Sequence, residues 1–173
     1  MATEMMAIFS LICLSSSVTA QVFDTRDYGG AQGSSFDITQ DLHVENVLCG
    51  PGYGISGSSL GKYPGRDPVV GFYVKNCTLV ARKNGVRIKM WPASFPGTVS
   101  EIRFENIYTN NVGNPVIIDQ GYSPWSQCKK DAPSRVSISN VSFKNIYDTS
   151  STADVVAVKC SSGVPCKNVE IGA

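Results

Sequence analysis

The residues best suited to chemistry are two cations that stand two positions apart, Arg87 and Lys89, in the segment Gly85-Val86-Arg87-Ile88-Lys89. Strand alternation would send Val86 and Ile88 to one face and both cations to the other. A guanidinium binds a carboxylate through two parallel hydrogen bonds, whereas an ammonium acts as a point charge. The spacing therefore suits an acidic ligand, although two solvated strand cations would show the same pattern.

The single histidine, His43, lies in the strand Leu42-His43-Val44-Glu45 with Glu45 on the same face. Histidine titrates near neutral pH and often serves as a general base. A strand position beside a polar neighbour is more typical of a solvated side chain. We therefore predict no catalytic role for His43.

The cysteine count is odd once a leader is removed. Cys13 would leave with residues 1–20, and five cysteines remain. Cys160 and Cys166 flank a short Gly- and Pro-containing segment and could close a small loop, worth about 2 kcal/mol on the loop-entropy model. The other three, which cannot all pair with one another, are Cys49, Cys77 and Cys128. A metal site is disfavoured because no C-x-x-C pair or neighbouring histidine accompanies them.

The first twenty residues read as a signal peptide. Residues 7–14 form an apolar run too short to span a bilayer, and Val18-Thr19-Ala20 places small residues before Gln21. Glu4 and the absence of Lys or Arg in residues 1–6 disagree, and a buried N-terminal element is the alternative. The mature chain would carry 15 bases and 13 acids, which is too weak a charge to indicate a nucleic-acid partner.

A repeat organises the rest of the chain. Asn46, Asn76, Asn106 and Asn145 each follow a short strand, at spacings of 30, 30 and 39 residues, and a second apolar strand begins 8 to 10 residues later. A fifth copy begins at Asn168. Such a repeat predicts stacked coils with parallel strands, in which corner asparagines adopt left-handed backbone and hydrogen-bond in a ladder. An antiparallel sandwich is the rival fold. Residues 21–40 read as a remnant strand and linker, and 41–173 as the domain.

Two strings are distinctive: Cys49-Gly50-Pro51-Gly52-Tyr53-Gly54-Ile55-Ser56 and Asn84-Gly85-Val86-Arg87-Ile88-Lys89-Met90-Trp91. Together with residues 114–120 and 160–166, they resemble motifs of plant polygalacturonases, particularly the exo-acting pollen type. The resemblance covers roughly residues 37–173, and Phe23–Gly29 resembles the family's N-terminal strand. It implies an all-β, single-stranded right-handed parallel β-helix of the pectin-lyase-like kind. It also implies an inverting hydrolase of α-1,4-galacturonan that needs no metal or organic cofactor.

The chain departs from this family where the chemistry should be. The family's aspartates lie in NTDG and GDDC motifs, and neither motif is present. Between the N-terminal strand Phe23–Gly29 and Cys49 the only aspartates are Asp37 and Asp41. A block holding several N-terminal coils is missing, with the flanks joined near Ser34-Ser35. Tyr53 stands where the family has a histidine, and a phenol titrates near pH 10. We therefore predict that no catalytic residue remains.

The same resemblance assigns the other roles. Arg87, Lys89 and Tyr122 correspond to substrate-binding residues, and the partners of Cys49 and Cys128 are expected to be lost. Asn76 and Asn140 begin N-glycosylation sequons.

Three functional hypotheses follow: an active cell-wall hydrolase, a non-catalytic pectin-binding protein, and a degenerate or alternatively spliced product without a stable fold. The expected protein is a secreted monomer whose partner is pectin. It binds no nucleic acid and associates with no membrane after signal cleavage.

Overall fold

The structure is a computed structural model of the 173-residue chain, and it describes residues 41–57, 60–65, 68–123 and 132–172. The predicted signal peptide and linker, together with Asp37 and Cys128, lie outside the described residues. Ten strands are present in the described part: β1 (Leu42–Glu45), β2 (Leu48–Cys49), β3 (Ile55–Ser56), β4 (Val69–Val80), β5 (Asn84–Lys89), β6 (Gly97–Val112), β7 (Asn114–Asp119), β8 (Val136–Ser150), β9 (Val156–Lys159) and β10 (Lys167–Gly172).

The strands form two parallel sheets. Sheet 1 runs β1-β4-β6-β8-β10, with β2 also paired to β4, and sheet 2 runs β3-β5-β7-β9. Each turn of the chain adds one rung to sheet 1 and then one to sheet 2, so equivalent strands of successive coils pair in parallel. The predicted right-handed parallel β-helix is confirmed, and the antiparallel sandwich is excluded. No helix within the described residues has the length and apolar character needed to cross a membrane.

The predicted asparagine corner is also confirmed. Asn46, Asn76, Asn106 and Asn145 have φ values of 57°, 53°, 54° and 50°, in the left-handed region that asparagine tolerates. Nδ2 of Asn106 donates to Oδ1 of Asn76 at 3.1 Å, and Nδ2 of Asn145 donates to Oδ1 of Asn106 at 2.8 Å. The same corner is thus made by the same residue type in four coils, and three of these side chains hydrogen-bond along the axis.

A second corner lies five residues before the first. Glu101, Asn140 and Asn168 have positive φ there, and Gly71 takes the position in the coil before. Nδ2 of Asn140 donates to Oε1 of Glu101 at 2.7 Å, and Nδ2 of Asn168 donates to Oδ1 of Asn140 at 2.9 Å. The fifth copy of the repeat therefore begins at this corner, where β10 pairs with β8.

The core lies between the two sheets and is continuous from coil to coil. The rings of Phe104 and Phe143 are stacked with centroids 5.1 Å apart, and Phe72 meets Phe104 edge-on at 6.1 Å. All three are almost fully buried. Each buried aromatic side chain contributes roughly 1.5–3 kcal/mol of transfer free energy, so this column joins three coils that could not bury an apolar face alone.

The cysteines differ from expectation at one position. Cys49 is disulfide-bonded, so the prediction that it has lost its partner is wrong. Cys160 and Cys166 form a disulfide that closes the segment before β10. Cys77 is the free cysteine of the described part of the chain; it is buried, and burial raises the pKa of its thiol. The sequence-based expectation failed because a missing motif partner does not prevent a different pairing.

Candidate functional site

Strand β5 presents the two cations on the outer face of sheet 2. Val86 and Ile88 are fully buried in the core, as strand alternation requires, and Arg87 and Lys89 point away from it. Arg87 is nevertheless only 8 % exposed, and Lys89 is partly buried. The pair is therefore neither solvated nor in the core, but lies in a partly covered position on the sheet surface.

Arg87 is held by its own strand. In the amide orientation that satisfies both atoms, the Asn84 oxygen accepts from Nη1 of Arg87 at 3.1 Å and its nitrogen donates to the Lys83 carbonyl; in the opposite orientation its oxygen accepts from Nδ2 of Asn114 at 3.3 Å. Nε of Arg87 is buried and has no hydrogen-bond partner among the described residues. Burial lowers the pKa of the guanidinium, and the phenols of Tyr122 and Tyr53 partly offset the shift. Arg87 thus keeps one buried donor without a partner among the described residues.

Tyr122 lies across both cations. Its ring centroid is 4.8 Å from Nζ of Lys89 and 5.8 Å from Cζ of Arg87, which are cation–π distances. The pKa of Lys89 falls to about 8, first because burial penalises the ammonium and second because Arg87 repels it. Lys89 is therefore charged at acidic and neutral pH, at an energetic cost that an anionic ligand would relieve.

The turn that follows β7 positions Tyr122. Gln120 is buried and fixes this turn: its Nε2 donates to the Val136 carbonyl at 2.7 Å, and its Oε1 accepts from the Ser161 amide at 2.8 Å. The amide of Tyr122 donates to the Met90 carbonyl at 3.1 Å. These bonds tie the turn to neighbouring coils, so the phenol ring has a defined place above the cations.

Asp119 is the carboxylate nearest to the pair in the strand register. It ends β7 and is in register with Lys89 on one side and Lys159 on the other. Its Oδ1 accepts from the Gly121 amide at 2.9 Å. It is the one acidic residue in the four strands of sheet 2.

Tyr53 lies beside the cations, although it is not in a strand. Its ring is 53 % exposed and within 6.0 Å of Nζ of Lys83, and its phenol acts electrostatically on Arg87. The adjoining Gly54 has φ of 82°, and a Cβ there would collide with the backbone of β5. The turn before β3 is thereby pressed against β5, and Tyr53 lies at the edge of the site.

The other sequence candidates are elsewhere. His43 is exposed on sheet 1 against the ring of Tyr73, and Asp41 lies at the start of the same sheet against Gly71. Asn76 and Asn140 are exposed at the sheet 1 corners. Within the described ranges, no three His, Cys, Asp or Glu side chains are grouped closely enough to hold a metal ion.

Sequence reasoning brought Arg87, Lys89 and Tyr122 forward but missed Asn84 and Asp119. The signal for Asp119 was present, because the repeat aligns Gly85–Lys89 with Pro115–Asp119 and so places Lys89 beside it. No comparable signal marks Asn84, since its contact with Arg87 depends on the path of the chain at the start of β5.

The arrangement suits an anionic ligand. Two cations offer hydrogen bonds and charge to a carboxylate, and the rings of exposed Tyr53 and partly exposed Tyr122 offer apolar surfaces. Inverting hydrolysis of a glycoside needs two carboxyl groups about 6.5–9.5 Å apart. The four strands of sheet 2 supply Asp119 alone.

Comparison with known proteins defines the class. Residues 32–173 match the model for Glycosyl hydrolases family 28, and the chain belongs to this family. It is 54 % identical over 136 residues to a polygalacturonase of Nicotiana tabacum, and the aligned stretch covers 79 % of this chain and 34 % of that protein. It is 50 % identical over 135 residues to an exopolygalacturonase of Oenothera organensis, and here the aligned stretch covers 78 % of this chain and 37 % of that protein. The chain thus spans about a third of the length of these curated relatives. No significant match was found among solved structures.

Proposed function

We propose that this protein binds galacturonan, the acidic polysaccharide of pectin, at the outer face of sheet 2 without hydrolysing it. The observation that supports this most is the placement of Arg87 and Lys89 beneath the ring of Tyr122, with an unused donor on Arg87. Membership of the polygalacturonase-containing family, together with the names of its relatives, makes a polymer of galacturonate the natural ligand class.

The proposal excludes hydrolysis for a chemical reason. General acid and general base each commonly contribute 10²–10⁴-fold, and an inverting reaction needs both. Asp119 is the one acidic residue in the four strands of sheet 2, and its Oδ1 is engaged by the Gly121 amide, so these strands supply no pair of carboxyl groups. An active hydrolase is the second candidate function, and the similarity of this chain to proteins named polygalacturonase and exopolygalacturonase favours it.

The test measures binding and hydrolysis together on the purified chain, residues 21–173. Isothermal titration with oligogalacturonate should show binding at pH 5–6 that weakens with salt, because the contacts are ionic. Lys89→Met should weaken it by about tenfold, the loss of one charge-assisted hydrogen bond. Lys167→Met removes one exposed lysine from sheet 1 and should leave binding unchanged.

Reducing-end release from polygalacturonate separates the two candidates. The proposal expects no release above that of an Arg87→Ala, Lys89→Ala variant. Release by the wild-type chain alone would show an active enzyme, and Asp119→Asn would then test the remaining carboxylate. A folded chain that binds no oligogalacturonate would refute the proposal.

Location, state and modification are part of the same proposal. We infer a secreted, monomeric cell-wall protein, supported by the apolar residues 7–14 and by the family to which the chain belongs. Asn76 and Asn140 are exposed and carry the sequon, so both are proposed glycosylation sites. Nδ2, the atom that would carry the glycan, donates a hydrogen bond to Glu101 in Asn140, whereas Asn76 accepts a hydrogen bond through Oδ1. Peptide mass mapping of the secreted protein, with and without glycosidase, tests both.

A further inference from the structure

A second group of aromatic rings and a lysine lies just beyond the Arg87–Lys89 site. Nζ of Lys62 is 5.1 Å from the ring centroid of Trp91 and 5.2 Å from that of Tyr63. Lys62 and Tyr63 are exposed, and Trp91 is partly exposed. We call this group, Lys62 with Tyr63 and Trp91, the outer cluster. It repeats the chemistry of Lys89 beneath Tyr122, a lysine against aromatic rings.

The outer cluster and the first site are adjacent. Trp91 follows Lys89 by two residues, and Met90 between them is fully buried, so the inward–outward alternation of β5 continues past its last residue. Two residues of extended chain span about 7 Å, which sets the distance between the Cα atoms of Lys89 and Trp91. The Arg87–Lys89 site and the outer cluster therefore lie on the same face, one after the other along the direction of β5.

Backbone hydrogen bonds stack the segments that hold them. The Trp91 amide donates to the Leu60 carbonyl at 3.2 Å, and the Tyr122 amide donates to the Met90 carbonyl at 3.1 Å. The turns containing Lys62, Trp91 and Tyr122 are thus consecutive rungs at one edge of sheet 2. Rungs of a sheet are about 4.8 Å apart, so a long oligomer that extends from the first site along this edge would meet the outer cluster.

We propose that the outer cluster is a second subsite for the same acidic polysaccharide, in which Lys62 binds the carboxylate of a further uronate and Trp91 or Tyr63 stacks on its ring. This inference rests on the proposed galacturonan binding and extends it. Lysine provides a strongly hydrated point charge, and tryptophan and tyrosine provide a large apolar face with a polar edge. That pairing fits a sugar acid, which has an apolar ring face and a charged substituent. The alternative is intramolecular packing, in which the lysine stem covers the rings for solubility alone.

The two explanations differ in their dependence on ligand length. Digalacturonate is short enough to occupy the first site alone, whereas hexagalacturonate would reach both. Lys62→Met keeps the packing of the stem and removes the charge, and Lys167→Met is the matched control for charge. The chain has two tryptophans, Trp91 and Trp125. All proteins in this test therefore carry Trp125→Phe, so that tryptophan fluorescence reports on Trp91 alone.

We expect Lys62→Met to raise the Kd of hexagalacturonate about threefold to fivefold, the upper part of the range for an exposed ion pair, and to leave the Kd of digalacturonate unchanged. Hexagalacturonate should change the emission of Trp91, and digalacturonate should not. Unchanged hexagalacturonate affinity in Lys62→Met, with affinity lost in Lys89→Met, would overturn the second subsite and leave the proposed function standing. Failure of the folded wild-type chain to bind either oligomer would overturn both.

Discussion

Replacing Lys89 by methionine should change stability and binding in opposite directions. Lys89 is partly buried beside Arg87, and its pKa of about 8 lies below the ordinary 10.5 because the folded protein disfavours its charge. Methionine has a similar length and no charge, so it can lie along the ring of Tyr122 without the desolvation cost. The same change removes one of the two cations proposed to bind galacturonate.

The magnitude follows from the difference between the two pKa values, from 10.5 to about 8. At 1.36 kcal/mol for each tenfold change, that difference corresponds to roughly 3 kcal/mol. Solvent still reaches the side chain, so screening reduces the expected gain to about 1–2 kcal/mol. Because the folded-state pKa of this base is lowered, the cost is fully present below pH 8. It is lost as the pH rises from 8 towards 10.5.

Urea unfolding of the wild type and Lys89→Met measures the free energy of unfolding at pH 6 and pH 9.5. The variant should be more stable at pH 6, and its advantage should shrink by roughly half at pH 9.5. Lys159→Met removes an exposed lysine from the same row of sheet 2 and should change stability by less than about 0.5 kcal/mol. A Lys89→Met variant that is no more stable than the wild type at pH 6 would refute the reasoning.

The remaining predictions concern the scaffold. Phe104→Ala should cost about 3–5 kcal/mol in urea unfolding, since the ring is fully buried between two other phenylalanines; exposed Phe95→Ala should cost little, and equal losses would contradict the packing account. Asn106→Ala should cost about 1–3 kcal/mol, because it combines a left-handed backbone with lost ladder bonds, and Asn106→Gly should restore the backbone part only. Gly85→Ala should weaken both stability and galacturonan binding, because the new Cβ would collide with the backbone of β7. Gly172→Ala, where no atom lies near, is the neutral comparison.

The fold was predictable because each coil repeats the same local requirement. A corner that turns the chain sharply favours asparagine, so Asn46, Asn76, Asn106 and Asn145 mark the same position in the sequence and in the structure. The second corner was not predicted. Glycine, glutamate and asparagine all occupy it, so no single residue type signals it.

The site was predictable only in part, for a different reason. Alternation along β5 places Arg87 and Lys89 together on one face, and this can be read from five residues. The degree of burial cannot, because it depends on Tyr122, which lies in the turn after β7. The lowered pKa of Lys89, which follows from that burial, was therefore not foreseen. The pairing of Cys49 was mistaken for the same reason: it depends on which segments meet in space.

The energetics of Arg87 and Lys89 help to explain why two cations occupy the outer face of sheet 2. Arg87 and Lys89 repel each other and are both partly removed from water, so neither position is explained by stability of the β-helix. Apolar residues on the same face, such as Ile117 in register with Arg87, show that sheet 2 accepts uncharged side chains at that level. A carboxylate bound between the two cations would offset their mutual repulsion and the cost of their burial. The unfavourable arrangement of the unbound protein is therefore what ligand binding would relieve, and the opposite responses expected of Lys89→Met are its measurable consequence.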